Sequence, residues 1–233
     1  MTAGPDTYDR IDRFAAVVRG TRRGDLPLRL ASSAAWISAV LQADVDVDAI
    51  NKQLDALAAA SPAHTFDGLR DYVFGTLGFR ADPSGGGDVA NSMIGSVLEN
   101  RRGLPVLVAT VTMAIGLRTR VPVLGIGMPF QFLIGDGHRR GVYADPVSGD
   151  PWDAARARAR FTAVSDGRLA WDDRYLMPVR TTAIVERILR NLEATFRAQR
   201  NTHDLALVVS MMARLPSQAH RAPEARRLSH VFN

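Results

Sequence analysis

Residues 103–127 read GLPVLVATVTMAIGLRTRVPVLGIG, and their reading decides the fold. No charged side chain falls between Gly103 and Leu117, so a helix over Val106–Leu117 has no face for water and belongs in the interior. Pro105 suits the first turn of that helix, where its missing N–H deprives no intrahelical acceptor. Beyond Arg118-Thr119-Arg120, residues Val121–Gly127, Phe130–Ile134 and Gly141–Ala144 read as three short strands. Asp136-Gly137 supplies the hairpin turn between the last two. A buried helix followed by a small antiparallel sheet is an α+β arrangement.

On the N-terminal side, residues 8–60 carry apolar side chains at helical spacing. Leu26, Leu30, Ala34, Ile37 and Leu41, then Val47, Ile50, Leu54 and Leu57, predict two or three packed helices. Asp48 or a neighbour is placed to cap the later one. Phe66–Leu77 is a further amphipathic stretch stopped by Gly78. Asp-Pro-Ser-Gly-Gly-Gly-Asp at 82–88 reads as a flexible loop that would overhang a cleft; no Gly-Lys-Ser/Thr follows, so it is no phosphate-binding P-loop. Asn91–Asn100 reads as a short helix before Pro105. On the C-terminal side, 151–175 is polar and predicts mostly irregular chain. A long helix follows from Thr181 to about Arg200, then another over Leu205–Leu215, then an Arg-rich tail.

The chain has 233 residues, 46% of them hydrophobic, enough for a substantial core. No apolar run reaches the roughly 18 residues of a membrane span, and the first twenty residues lack a signal peptide's apolar segment. A cytoplasmic protein with no membrane association is expected. The absence of cysteine fits a reducing compartment and removes disulfides and thiolate metal sites. A net charge of +5 raises the question of an acidic partner. Lys52 is the only lysine, however, and the arginines are spread among aspartates with no interleaved aromatics to stack bases. Nucleic acid is therefore not an expected partner, and the composition fits a GC-rich, actinobacterial-like genome.

Asn91-Ser92, Val97-Leu98, Arg101-Arg102-Gly103-Leu104-Pro105, Val121-Pro122-Val123, Gly125-Ile126-Gly127-Met128-Pro129 and Asp145-Pro146, in this order and spacing, resemble the SirB family of the transglutaminase-like superfamily. Leu77-Gly78-Phe79 and Ile188-Leu189-Arg190-Asn191-Leu192 extend the resemblance to roughly residues 25–216. It implies an N-terminal helical part (1–80), a transglutaminase-like core (81–150), and a connector with C-terminal helices (151–233), together one compact domain. It also implies a tetratricopeptide-like tail, a shape used for protein contacts.

In that superfamily a Cys opens the buried helix, a His follows on a strand, and an Asp on the next strand orients the His. By the resemblance, the nucleophile falls at or beside Pro105, the His at Gln131 and the carboxylate at Asp145. Pro105 offers no nucleophile, and an amide is no base near neutral pH. The Cys and His of the triad are missing.

Asp145 before Pro146 reads either as a turn residue capping local amides or as a ligand-facing carboxylate. Gln131 alternates with Phe130 and Phe132, so if both rings are in the core it faces the old cleft. Asn100, Arg101 and Arg102 close the preceding helix. The two arginines read either as a clamp for a carboxylate or phosphate, or as partners of helix C-terminal carbonyls. With Pro105, Met128 and Phe130 they make up the expected cleft. His138 sits on a hairpin tip, and His203, His220 and His230 lack the spacing of a metal site, so no metal and no cofactor are expected.

Two functions are compatible with these residues. In the first, the cleft has lost cysteine-protease and transglutaminase chemistry and binds a small molecule or peptide, while the C-terminal helices dock a protein partner. In the second, a non-thiol enzyme of small-molecule (secondary) metabolism uses Asp145 as acid or base and Gln131 as polar orienter, in an isomerisation or cyclisation.

Overall fold

The structure, a computed structural model, describes residues 5–20, 26–82, 84 and 87–230. Three helices open it: α1 (Pro5–Arg19), α2 (Leu26–Leu41) and α3 (Val47–Ala59). Ile11, Phe14, Ala15 and Val18 put the apolar stripe of α1 inward, against α2. Asp46, the neighbour of Asp48, caps α3 by accepting the Asp48 N–H at 2.8 Å. Helix α4 (Phe66–Arg70) runs on into a π-helical turn (Asp71–Thr76), and the chain leaves through Gly78 at φ 72°.

Two parallel two-residue strands, β1 (Arg80–Ala81) and β2 (Arg102–Gly103), bracket a 3-10 turn (Val89–Ser92) and α5 (Ile94–Asn100). Of the expected 82–88 loop, Pro83, Gly85 and Gly86 lie outside the described residues.

Helix α6 (Pro105–Arg118) begins at Pro105 as expected, and Val106 through Gly116 are all buried. It packs against α2, α3, α8 (Thr181–Ala198) and the sheet. Its two buried hydroxyls are satisfied within the helix: Thr110 donates to Val106 O at 2.7 Å and Thr112 to Val108 O at 2.9 Å. Gly116 lets the helix approach the next strand, since a Cβ there would sit 2.7 Å from Val121 O.

The sheet is antiparallel with the order β3 (Val123–Ile126), β4 (Leu133–Asp136), β5 (Tyr143–Ala144), β6 (Pro151–Trp152). Its faces alternate as strand geometry requires. Val123, Phe132, Ile134 and Ala144 join the main core with α6. Ile126, Leu133, Tyr143 and Trp152 pack on the other side against Ala157 and Phe161 of α7 (Ala154–Ser165). After α8 come helices α9 (Thr202–Met212) and α10 (Ala222–His230). Among the described residues, no helix is long and apolar enough to cross a membrane.

Two expectations are corrected. The polar stretch after 150 is not mostly irregular: it contains β6 and the twelve-residue α7, whose cap Asp153 accepts the Arg156 N–H at 2.7 Å. Strand β4 starts at Leu133 rather than Phe130, because Phe130 takes a left-handed conformation at φ 64° and turns the chain.

Candidate functional site

Gln131 precedes β4 and Asp145 follows β5, so neighbouring antiparallel strands deliver both to the same end of the sheet. The Gln131 Nε2 donates to Asp145 Oδ1 at 3.2 Å, and the Val147 N–H donates to the same oxygen at 3.0 Å. Both side chains are largely buried, Gln131 9% and Asp145 8% exposed. Gln131 Oε1 and Asp145 Oδ2 accept no hydrogen bond among the described residues. Neither is among the fully enclosed polar atoms left without a partner, so both open onto the surface.

The Asp145 turn is tied to the head of α6 by main-chain bonds. Pro146 O accepts from Ala81 N at 2.8 Å, Ala81 pairs with Gly103, and Gly103 O accepts from Asp82 N at 2.8 Å. Two residues after Gly103 comes Pro105, the first residue of α6. The turn itself closes at Gly149, whose N–H donates to Asp145 O at 2.7 Å. Gly149 has φ 80°, and a Cβ there would lie 2.5 Å from Phe74 Cβ, so glycine is required on both counts.

Burial pushes the Asp145 carboxyl above its ordinary range, and Asp150 adds to the rise. The hydrogen bonds from Val147 and Gln131 and the field of Arg160 oppose it without cancelling it. The result is a carboxylate that one oxygen anchors and the other presents.

Met128, expected in the cleft, is instead fully buried in the core beneath α7. Its carbonyl is what reaches the site: it accepts from Gln131 N at 3.2 Å and from Arg187 Nη1 at 3.2 Å. Arg187, on α8, also lies over the Phe132 ring at 5.3 Å, and burial pushes its pKa down. Among the described residues it makes no ion pair, so a half-buried cation without a counter-ion shares the Met128 carbonyl with the Gln131 main chain. Sequence reading missed it because its anchoring carbonyl is 59 residues away.

Phe130 does not share the core with Phe132. It is 48% exposed, with Phe161 at 6.2 Å and the Arg168 guanidinium 5.6 Å from its ring. Arg101 caps α5 in the left-handed region at φ 57°, and its guanidinium stacks on Phe79 at 4.7 Å with Nη1 buried and unbonded. Asn100 and Arg102 are exposed. Among the described residues, no hydrogen bond or ion pair joins Asn100, Arg101 or Arg102 to Asp145, and neither arginine pairs with a helix carbonyl. Four cavities of about 390 to 540 Å³ are lined by residues other than Gln131, Asp145 and Pro105.

A family model described as transglutaminase-like superfamily matches residues 37–190, which include α6, the sheet and both site residues. The chain belongs to the transglutaminase-like superfamily. It is similar to a UPF0162 protein of Xylella fastidiosa strain 9a5c, 32% identical over 58% of this chain and 50% of the relative. A second UPF0162 protein, from strain Temecula1 / ATCC 700964, is 32% identical over 54% of this chain and 46% of that protein. The chain thus spans about half the length of the curated relatives it matches. No solved structure matches it. The transglutaminase-like chain has no cysteine, so no thiolate of its own can act at the head of α6.

Proposed function

We propose that this transglutaminase-like chain, of SirB type by the order of its motifs, is a binding protein in which the family's catalytic frame persists without its nucleophile and base. The observation that carries this reading is the hydrogen bond from Gln131 to Asp145 at 3.2 Å. An amide stands where the resemblance puts the imidazole, and it holds the carboxylate as an imidazole would, while Pro105 heads the helix where the thiol would be. An amide can orient but not abstract a proton near neutral pH. The open Asp145 Oδ2 and Gln131 Oε1 are acceptors. Together they suit a small molecule or peptide end carrying amide N–H groups.

The test is affinity capture from a bacterial metabolite and peptide extract on immobilised wild-type protein and on Asp145→Asn, read by mass spectrometry. A species retained by wild type and reduced at least about tenfold on the variant supports the site, and equal retention on both rejects it.

A second reading has one observation in its favour: the raised pKa of Asp145, with Oδ2 open. A desolvated carboxylate is competent as a general base or acid nearer neutrality. In that reading Asp145 moves a proton on a bound small molecule and Gln131 orients it, as in an isomerisation or cyclisation.

A further inference from the structure

The end of α6 remote from Pro105 holds a second site. A helix rises about 1.5 Å per residue, so Leu117 lies about 18 Å along the axis from Pro105. There a cavity of about 540 Å³ opens between α6, the outer edge of β3 and the segment leading into α8. Its size falls within the roughly 300–1,000 Å³ of small-molecule pockets. Met113, Leu117, Val121, Val123 and Val179 make its walls apolar.

Its polar lining has one sign. Arg120, Arg180, Thr181 and His138 contribute, and no aspartate or glutamate does. Among the described residues, neither Arg120 nor Arg180 forms an ion pair, and both are exposed. The nearby carboxylate, Asp136, is already engaged: it accepts from the His138 N–H at 2.8 Å and pairs with Arg139 at 2.5 Å. The eighteen-residue α8 also begins at this wall, directing its positive end there. An apolar chamber whose rim carries two uncompensated guanidiniums matches a ligand with an apolar body and a single anionic head.

We propose that this cavity binds an apolar carboxylate, a fatty-acid-like or arylalkyl acid, with the hydrocarbon against Leu117 and Val121 and the carboxylate between Arg120 and Arg180. Binding here is independent of Gln131 and Asp145.

Isothermal titration with decanoate, decanol and decyltrimethylammonium, each below its self-association range, tests the assignment. Decanoate saturates at one site per chain, and about tenfold more tightly than decanol, a contrast consistent with two exposed charge contacts. Arg120→Asn combined with Arg180→Gln brings decanoate to the decanol level and leaves decanol unchanged. Asparagine tolerates the positive φ of 62° at position 120, so this variant keeps the fold. Leu117→Trp fills the chamber and abolishes binding of both. The proposal is overturned if decanoate does not saturate, if the cationic analogue binds as well as decanoate, or if the double variant binds decanoate like wild type.

Discussion

The Gln131 amide and the Asp145 carboxylate, 14 residues apart, meet at 3.2 Å across the end of β4 and β5, with Val147 N–H completing the grip on the same oxygen. This pair is rigid on one side and open on the other. It is also a conflict: among the described residues, a carboxylate that burial destabilises is hydrogen-bonded by neutral donors alone, and Arg160 acts on it only through its field.

That conflict sets the pH dependence of Asp145. Its folded-state pKa lies above the unfolded value, so the folded state binds the proton more tightly. Stability attributable to this group therefore falls as pH rises through the ordinary aspartate range and up to the folded pKa. Asp145→Asn keeps the shape and an acceptor for Gln131 and Val147 while removing the charge. Thermal melts will show the variant at least as stable as wild type at pH 7, with the difference closing below about pH 4, near the ordinary aspartate value. A variant clearly less stable at pH 7 would contradict the burial argument.

The frame can be refilled. Pro105→Cys places a thiol at the head of α6, and adding Gln131→His restores an imidazole against Asp145. A helix N-terminus and a paired imidazole both favour thiolate, so the double variant's thiol should titrate below the usual ~8.5. Alkylation rates with iodoacetamide against pH measure this. An ordinary thiol titration in the double variant, no lower than in Pro105→Cys alone, would show that Gln131 does not occupy the base position.

Gly149→Ala attacks the turn that aims Asp145. The new methyl meets Phe74, and the backbone must hold φ near 80°. Chemical denaturation should register a loss of about 1–3 kcal/mol, the usual scale for such strain. A loss under about 0.5 kcal/mol, the scale of ordinary surface changes, would mean the turn relaxes freely.

Far from the site, Glu193 on α8 binds Arg197 of the same helix at 2.7 Å and Arg221 at 2.7 Å, the latter tying α8 to the turn before α10. The Arg221 hydrogen bond is the main cause holding its pKa down to about 2. A depressed carboxylate stabilises above its unfolded pKa and loses that contribution as pH falls toward the folded one. Glu193→Gln should cost about 1–2 kcal/mol at pH 7, allowing for partial exposure. Between pH 5 and 2 the wild type should lose this advantage. Parallel acid unfolding curves for the two proteins would refute it.

What was legible in the sequence followed from strong local signals. The uncharged run after Gly103 and the proline at its head located α6, and short apolar runs located three of the four strands of the sheet, β6 being missed. Helix α7 was hidden because only Ala157, Phe161 and Ser165 are buried, a thin stripe among exposed arginines. The cap Asp153 was its one readable signal. Phe130 misled because an aromatic in an alternating run reads as strand, and a left-handed residue has no signature of its own outside Gly and Asn. Gln131 and Asp145 were found by resemblance, whereas Arg187 depends on a carbonyl met only after folding. The cavity at Leu117 was not legible, since its wall joins α6, β3 and the start of α8.

The central claim is that the Gln131–Asp145 site binds without turning over. The most direct measurement is a mass balance: wild-type protein is incubated with the species that Asp145→Asn fails to retain, and ligand is quantified in solution and after denaturing the protein. Binding without catalysis predicts that no more than one molecule per chain leaves solution, and that all of it returns unchanged. Depletion beyond one equivalent with a new mass appearing, abolished in Asp145→Asn, would contradict the claim and make Asp145 a catalytic residue.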